Sequence, residues 1–230
     1  MRELTRGGLG GRRVVVFDVD GTLTRTNDLD GRCYAQALEE RLGAPIDSDW
    51  AGYRHATDPG IFIEAFERRL GRPPDDGELA AFRDRFLSLL RGRDAVFEVP
   101  GAAALIRTLR RTRGILLAIA TGAWRESAAW KLRCAGIPTE GIPMASGDDS
   151  PSREEIIRLA VRRAGGDLER TVYVGDAPWD VAAARRLGIP LVAVAADRDP
   201  VVLRGLGAPH VLGDFSRVEE FFRVAGLREE

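Results

Sequence analysis

The chain has 230 residues, of which 44% are hydrophobic and 30% charged, and its formal net charge is -1. This composition is typical of a soluble globular protein that is long enough to bury a sizeable core, and the balanced charge gives no reason to expect a nucleic acid or an anionic membrane as a partner. The chain also contains no apolar run near the roughly 20 residues that a membrane-spanning helix needs.

The first segment, residues 1–12, is basic, and no apolar segment of signal-peptide length follows it. We expect a flexible tail over 1–12. The only two cysteines, Cys33 and Cys134, make no disulfide framework, and their spacing is not that of a zinc site. Ordinary thiols of this kind suit a reducing compartment, so we expect a cytoplasmic location.

The first predicted element is a strand over 14–20, VVVFDVD, whose apolar run ends in Asp18 and Asp20 and is followed by Gly21. A short apolar run of this kind is typical of a buried strand. Two carboxylates so close together repel each other when they leave water, and each needs a partner. The strand end therefore predicts a positively charged group nearby.

The next segment, residues 24–96, shows no strand pattern. It shows helical patterns over 28–42, 59–70 and 76–91, separated by glycine- and proline-containing breaks. This interval is too long to be a single crossover between neighbouring strands. We therefore predict a small helical unit inserted directly after the first strand.

From residue 97 onward, short apolar runs alternate with amphipathic stretches. Strands are predicted over 115–121, 171–176, 191–196 and 210–214, with a weaker one over 143–146. Helices are predicted over 101–112, 123–135, 152–165, 178–187, 199–206 and 215–225. Strands that alternate with helices imply parallel pairing, so the predicted fold is α/β, a Rossmann-like doubly wound parallel sheet.

Ligands of an open parallel sheet bind beyond the carboxyl ends of its strands. The residues predicted at that edge follow three of the strands: Asp18, Asp20, Thr121, Gly122, Gly175, Asp176 and Asp180. Clustered acids repel by several kcal/mol, as an order of magnitude, and a hard divalent cation such as Mg²⁺ relieves that repulsion. A threonine hydroxyl beside glycine amides at a helix start is a phosphate cradle. Together these features predict phosphoryl transfer.

Three motifs at this edge resemble those of the haloacid dehalogenase (HAD) superfamily: DVDGTLT at 18–24, AIATG at 118–122 and VGDAPWD at 174–180. They occur in the order of the family's motifs, and the inserted helices fall where the family's type 1 helical cap sits. The resemblance implies a Rossmann-like core over 13–23 and 97–230, a helical cap over 24–96, and Mg²⁺-dependent hydrolysis of a small phosphorylated metabolite.

The resemblance also implies a role for each acid. Asp18 would be the nucleophile that forms an aspartyl-phosphate. Asp20 would be the general acid toward the leaving group and then the general base toward water. Asp18, the main-chain carbonyl of Asp20 and Asp176 would hold Mg²⁺, and Asp180 would order the metal site from nearby.

Phosphate binding is where this sequence departs from the family. Thr121 and the amide of Gly122 would bind the phosphoryl oxygens, but the lysine of the family's third motif is missing from its usual place. Lys131, the only lysine, lies in the middle of another predicted helix, ten residues after Thr121, and is a poor substitute. Arg153 is the only base in DDSPSREEI (148–156). We therefore predict that Arg153 replaces the lysine, the alternative being a surface arginine in a first helical turn.

Substrate selection is expected to fall to a loop between the predicted cap helices, GYRHATDPGIF at 52–62. Its candidate residues are Arg54, His55, Thr57 and Asp58. The alternative for Thr57 and Asp58 is that one of them simply caps the helix that follows.

Two other functions fit the same motifs. A phosphomutase of the β-phosphoglucomutase type would pass the phosphoryl group to a sugar instead of water. A regulatory module would keep the fold and bind a phosphorylated ligand without turnover, which the missing lysine would suit. Release of phosphate from a generic aryl phosphate separates an enzyme from such a module.

Overall fold

The computed structural model describes residues 11–44, 48–92 and 96–227. Most of the predicted tail, residues 1–10, lies outside the described residues. The described strands form one six-stranded sheet with the order β3-β2-β1-β4-β5-β6, and all of its pairs are parallel. The strands are β1 (Arg13–Phe17), β2 (Ile115–Ala120), β3 (Met144–Ala145), β4 (Thr171–Gly175), β5 (Leu191–Val194) and β6 (His210–Leu212). The predicted doubly wound α/β fold is confirmed.

Helices of the described residues fall into two groups. The first group precedes β2 and comprises α1 (Asn27–Leu42), α2 (Asp58–Leu70) and α3 (Asp76–Arg91). The second group accompanies the strands and comprises α4 (Ala102–Arg111), α5 (Arg125–Cys134), α6 (Arg153–Arg163), α7 (Pro178–Leu187), α8 (Pro200–Gly205) and α9 (Val218–Val224). No helix in these described ranges combines the length and apolar character needed to cross a bilayer.

Strand β1 is buried on both faces, which explains its uninterrupted apolar run. Val15 and Phe17 pack into the core that α4, α5 and α9 share, whereas Val14 and Val16 face the core of α6, α7 and α8. The strand ends at Phe17, earlier than the predicted end at residue 20. The chain turns there, with the amides of residues 22–24 all donating to the Val19 carbonyl.

Helix α9 also differs from its prediction, which had a helix over 215–225. The helix begins three residues later, at Val218. The reason lies in the preceding turn, where the Asp214 carboxylate accepts the Ser216 amide at 2.8 Å and the Phe215 amide donates to the Pro100 carbonyl at 2.9 Å. A side chain that bonds the backbone in this way competes with the helix.

Helices α1, α2 and α3 enclose an apolar core of their own. Its centre is aromatic, with Phe62 stacked on Phe82 at a centroid distance of 4.1 Å and Tyr34 edge-on to Phe82 at 5.2 Å. The chain enters and leaves this helical unit side by side, because the Arg25 amide donates to Phe97 and the Val99 amide donates to Leu23, each at 2.9 Å. The helices fall within the predicted cap interval, whose limits of 24–96 stay a prediction.

Candidate active site

The carboxyl edge of the sheet brings together acids from distant parts of the sequence. Asp18 follows β1, Asp176 follows β4, and Asp180 lies in the first turn of α7. One carboxylate oxygen from each lies within 4.8 Å of the other two, and all three residues are buried. Gly21 makes this approach possible, because it has a φ of +72° and a Cβ there would lie 2.1 Å from Asp176 Oδ2.

Asp18 is paired with the predicted arginine. Arg153, the first residue of α6, donates from Nη1 to Asp18 Oδ1 at 3.0 Å, and its side chain is only 9% exposed. The surface alternative for Arg153 is therefore excluded. Burial raises the pKa of Asp18 well above its ordinary value, against the opposing effect of Arg153, while Asp180 and Asp176 raise it further. The nucleophile predicted from the sequence lies in a pocket that disfavours negative charge until a cation compensates it.

Asp176 and Asp180 are held in different ways. Asp176 Oδ2 accepts from Asn27 Nδ2 at 2.7 Å and from Arg198 Nε at 2.8 Å, and burial raises the pKa of Asp176 to about 6 despite Arg198. Asp180 accepts from the Tyr173 hydroxyl at 2.8 Å and from the main-chain amides of Asp176 and Ala177, just before α7. Asp180 is thus held mainly by main-chain amides, whereas Asp176 is held by two side chains.

This donor set fits a hard divalent cation. Three buried carboxylates supply the oxygen ligands that Mg²⁺ prefers. Burial, reinforced by the neighbouring acids, raises the pKa values of Asp18 and Asp176, and the positive charge of such an ion would offset that effect. The predicted ligands Asp18 and Asp176 both belong to this cluster, and the side chain of Asp20 points elsewhere.

Asp20 contacts a residue that the sequence analysis had set aside. Its Oδ1 accepts from Thr26 Oγ1 at 2.5 Å and from Lys131 Nζ at 2.7 Å. Lys131, on α5, is completely buried and also pairs with Asp30 on α1. Lys131 shares the buried face of α5 with Ser127, Ala128 and Leu132, and only the apolar pair Ala128 and Leu132 marks that face in the sequence.

The phosphate cradle predicted at β2 lies against the helical unit. Thr121 is buried and its Oγ1 accepts the Ala123 amide at 3.2 Å. The Gly122 carbonyl accepts the Asp58 amide at 2.8 Å. A Cβ at Gly122 would lie 2.7 Å from the Ala56 carbonyl, so a glycine is needed for this close approach.

A cavity of about 280 Å³ lies between the sheet edge and helices α1 and α2. The predicted residues Asp18, Asp20, Thr121, Gly122, Arg153 and Asp176 line it on the sheet side. Tyr34, Trp50 and Ile61 line it on the helical side, and Trp179 and Arg198 add to the sheet side. None of these five residues was predicted: Trp179 occupies a variable position of the motif at 174–180, Ile61 lies in the loop at 52–62 as an ordinary apolar residue, and the other three come from segments without a motif.

The predicted loop residues divide into two pairs. Thr57 and Asp58 line the cavity, and both also have structural roles: Thr57 caps α2 by accepting the Gly60 amide, and Asp58 accepts the Trp124 amide at 2.9 Å. Arg54 and His55 do not line the cavity. The loop turns away there, with Arg54 exposed and its amide bonded to Glu64, so the structure does not support substrate contact by Arg54 or His55.

Comparisons with known proteins agree with this geometry. A family model for haloacid dehalogenase-like hydrolases matches residues 12–188. Phosphoglycolate phosphatases from Mesorhizobium japonicum and Rhodospirillum rubrum are each 30% identical to this chain, over 80% and 91% of its length and 82% and 90% of theirs. The crystal structure of CbbY from Rhodobacter sphaeroides in complex with phosphate is 25% identical, with a TM-score of 0.67, and the match covers 90% of this chain and 96% of that one.

Proposed function

Because this chain belongs to the haloacid dehalogenase-like hydrolase family and is a phosphatase, we propose that it hydrolyses a small phosphomonoester with Mg²⁺ and through an aspartyl-phosphate on Asp18. The observation that carries the proposal is the buried Asp18, paired with Arg153 and gathered with Asp176 and Asp180 at the sheet edge. Burying three acids around one cation costs free energy and does not help a core to fold. The cluster therefore indicates a functional site.

The chain's own residues account for phosphate binding. Arg153 holds Asp18 in place and offers its remaining donors to phosphoryl oxygens, as a planar guanidinium does well. Thr121 lies at the end of β2 on the same cavity wall and adds a hydroxyl. These groups draw a dianionic ester toward Asp18, whose carboxylate attacks the phosphorus as the alcohol leaves.

Asp20 is placed for proton transfer. It lines the cavity, and its Oδ1 is occupied by Thr26 and Lys131, whereas its Oδ2 accepts no hydrogen bond from the described part of the chain. In the proposed reaction Oδ2 protonates the departing alcohol and later removes a proton from the water that attacks the aspartyl-phosphate. Helices α1 and α2 cover the cavity and keep bulk water away from that intermediate.

Mg²⁺ would be held by Asp18, Asp176 and the main-chain carbonyl of Asp20, with Asp180 ordering the site through its bonds to Tyr173 and to the amides of Asp176 and Ala177. When bound, the ion offsets the repulsion between a carboxylate nucleophile and an anionic phosphate.

Phosphate release from p-nitrophenyl phosphate and 2-phosphoglycolate tests the proposal. Turnover is expected with Mg²⁺ and not with EDTA, and Asp18→Asn should reduce it at least about 10³-fold, since the residue is the nucleophile. Asp84→Asn removes an exposed carboxylate on α3 and is the matched control, with unchanged turnover. An Asp18→Asn variant that folds and keeps wild-type activity would contradict the proposal.

A further inference from the structure

Lys131 is the only lysine among the 230 residues, and its side chain has no exposed surface. A lysine ammonium is among the costliest groups to bury, unless carboxylates accompany it. Here its Nζ lies 2.7 Å from Asp20 Oδ1 and pairs with Asp30 as well. The ammonium therefore belongs to the active site by contact, although it lies on a helix that carries no part of the third motif.

The Lys131 side chain remains a protonated ammonium. Burial lowers its pKa, but the carboxylates of Asp20, Asp30 and Asp58 outweigh burial and leave the pKa raised. One cation is thus shared between two bonded carboxylates, with a third nearby.

The three contacting groups come from three segments. Lys131 lies on α5, whose Ala128 and Leu132 pack into the core beneath the sheet. Asp20 lies in the loop after β1, and Asp30 lies on α1, the first helix of the inserted unit. The Lys131 ammonium therefore links α5, the loop after β1 that carries Asp20, and α1 of the helical unit.

We propose that Lys131 is a positioning residue for the reaction. Together with Thr26 it holds Asp20 Oδ1, so that Asp20 Oδ2 faces the leaving group. Asp30 in turn keeps Lys131 in place while α1 lies against the sheet edge. The inference rests on the proposed acid–base role of Asp20. In this arrangement Arg153 serves the nucleophile and Lys131 serves the acid–base aspartate.

The test uses two leaving groups. An alkyl phosphate must receive a proton as its alcohol departs, whereas p-nitrophenolate leaves as a stable anion. Since kcat/KM reports the steps up to departure of the leaving group, misplacing Asp20 should lower kcat/KM for the alkyl ester selectively. For Lys131→Met we expect a loss of about 10- to 100-fold with 2-phosphoglycolate, or another alkyl phosphate that the wild type hydrolyses, and less than about threefold with p-nitrophenyl phosphate.

Two further variants separate a loss of Asp20 positioning from a loss of folding stability. Lys131→Met with Asp30→Asn removes both charges, so no uncompensated Asp30 remains, and it should show the same selective loss. Glu126→Gln is the matched control, because Glu126 also lies on α5 and pairs with Arg91 of α3, but at the surface. Its kcat/KM for both esters should equal that of the wild type.

Equal losses for the two esters, or no loss in either Lys131 variant, would overturn the proposal. Amide hydrogen exchange gives a readout that needs no turnover: exchange at residues 27–33 should rise in Lys131→Met and not in Glu126→Gln. If the wild type hydrolyses no phosphomonoester, the proposed function fails. Unchanged amide hydrogen exchange at residues 27–33 in Lys131→Met would separately overturn the proposed link between Lys131 and α1.

Discussion

Two buried cations serve two different carboxylates at this site. Arg153 Nη1 lies 3.0 Å from Asp18 Oδ1, and Lys131 Nζ lies 2.7 Å from Asp20 Oδ1. An arginine presents a planar fork of donors that matches phosphate, whereas a lysine is a compact point charge. The arginine therefore suits the carboxylate that would receive a phosphoryl group, and the lysine suits the one that would transfer protons and needs only one oxygen held.

Asp30 is the third charged group of this cluster, and one ammonium cannot fully compensate two partly buried carboxylates. Burial raises the pKa of Asp30 from its ordinary value of 3.8 to about 6, although Lys131 lowers it. The folded state therefore binds a proton that the unfolded state has lost between pH 4 and pH 6. Stability from this group is present below pH 4 and is lost as the pH rises to about 6.

The variant Asp30→Asn removes that titration. We expect the free energy of unfolding of the variant, measured relative to the wild type by chemical denaturation in EDTA, to increase between pH 4 and pH 7 by about 1–3 kcal/mol. Glu39→Gln changes an exposed acid on the same helix and should show no such trend. A difference between Asp30→Asn and wild type that is the same at both pH values would contradict the expected titration.

The start of α2 shows how one helix end serves both stability and the site. Thr57 Oγ1 accepts the Gly60 amide and donates to the Pro151 carbonyl, each at 3.3 Å, so the cap residue of α2 also contacts the segment before α6. Arg153 follows Pro151 by two residues and donates to the Ala56 carbonyl at 3.4 Å. The helix end and the Arg153 segment therefore hold each other in position.

Thr57→Ala should lower the free energy of unfolding by about 1 kcal/mol, the usual cost of losing an N-cap oxygen. Thr57→Ser retains the oxygen and should remain close to wild type. Thermal or chemical denaturation of the three proteins provides the measurement. If Thr57→Ser loses as much stability as Thr57→Ala, the methyl group rather than the cap is responsible.

At the scale of the whole molecule, the proposed cation site predicts that stability depends on magnesium. An ion that binds the folded chain and not the unfolded one stabilises it by mass action, by about 2.7 kcal/mol at a hundred times the dissociation constant. We expect Mg²⁺ to raise the midpoint of thermal unfolding at pH 7. Asp176→Asn should abolish this rise, and Asp84→Asn should keep it. A rise of the same size in Asp176→Asn would place the ion elsewhere.

The fold and the sheet edge could be predicted because their signals are local. Runs such as 14–17 and 171–175 are apolar where strands are buried on both faces, and the acids directly follow them. The contacts between Lys131 and Asp20, and between Arg198 and Asp176, join residues 111 and 22 positions apart. Such pairs depend on how α5, α1 and the loop after β5 pack, and no local pattern encodes that packing.

The burial of Lys131 has a practical side that concerns labelling chemistry. Every other basic side chain except the two histidines is an arginine, so reagents that acylate primary amines find no lysine on the surface of the folded protein. Unfolding exposes that one amine. Acylation of Lys131 itself, separated by peptide mapping from acylation of the α-amino group, therefore reports the fraction of molecules that have opened.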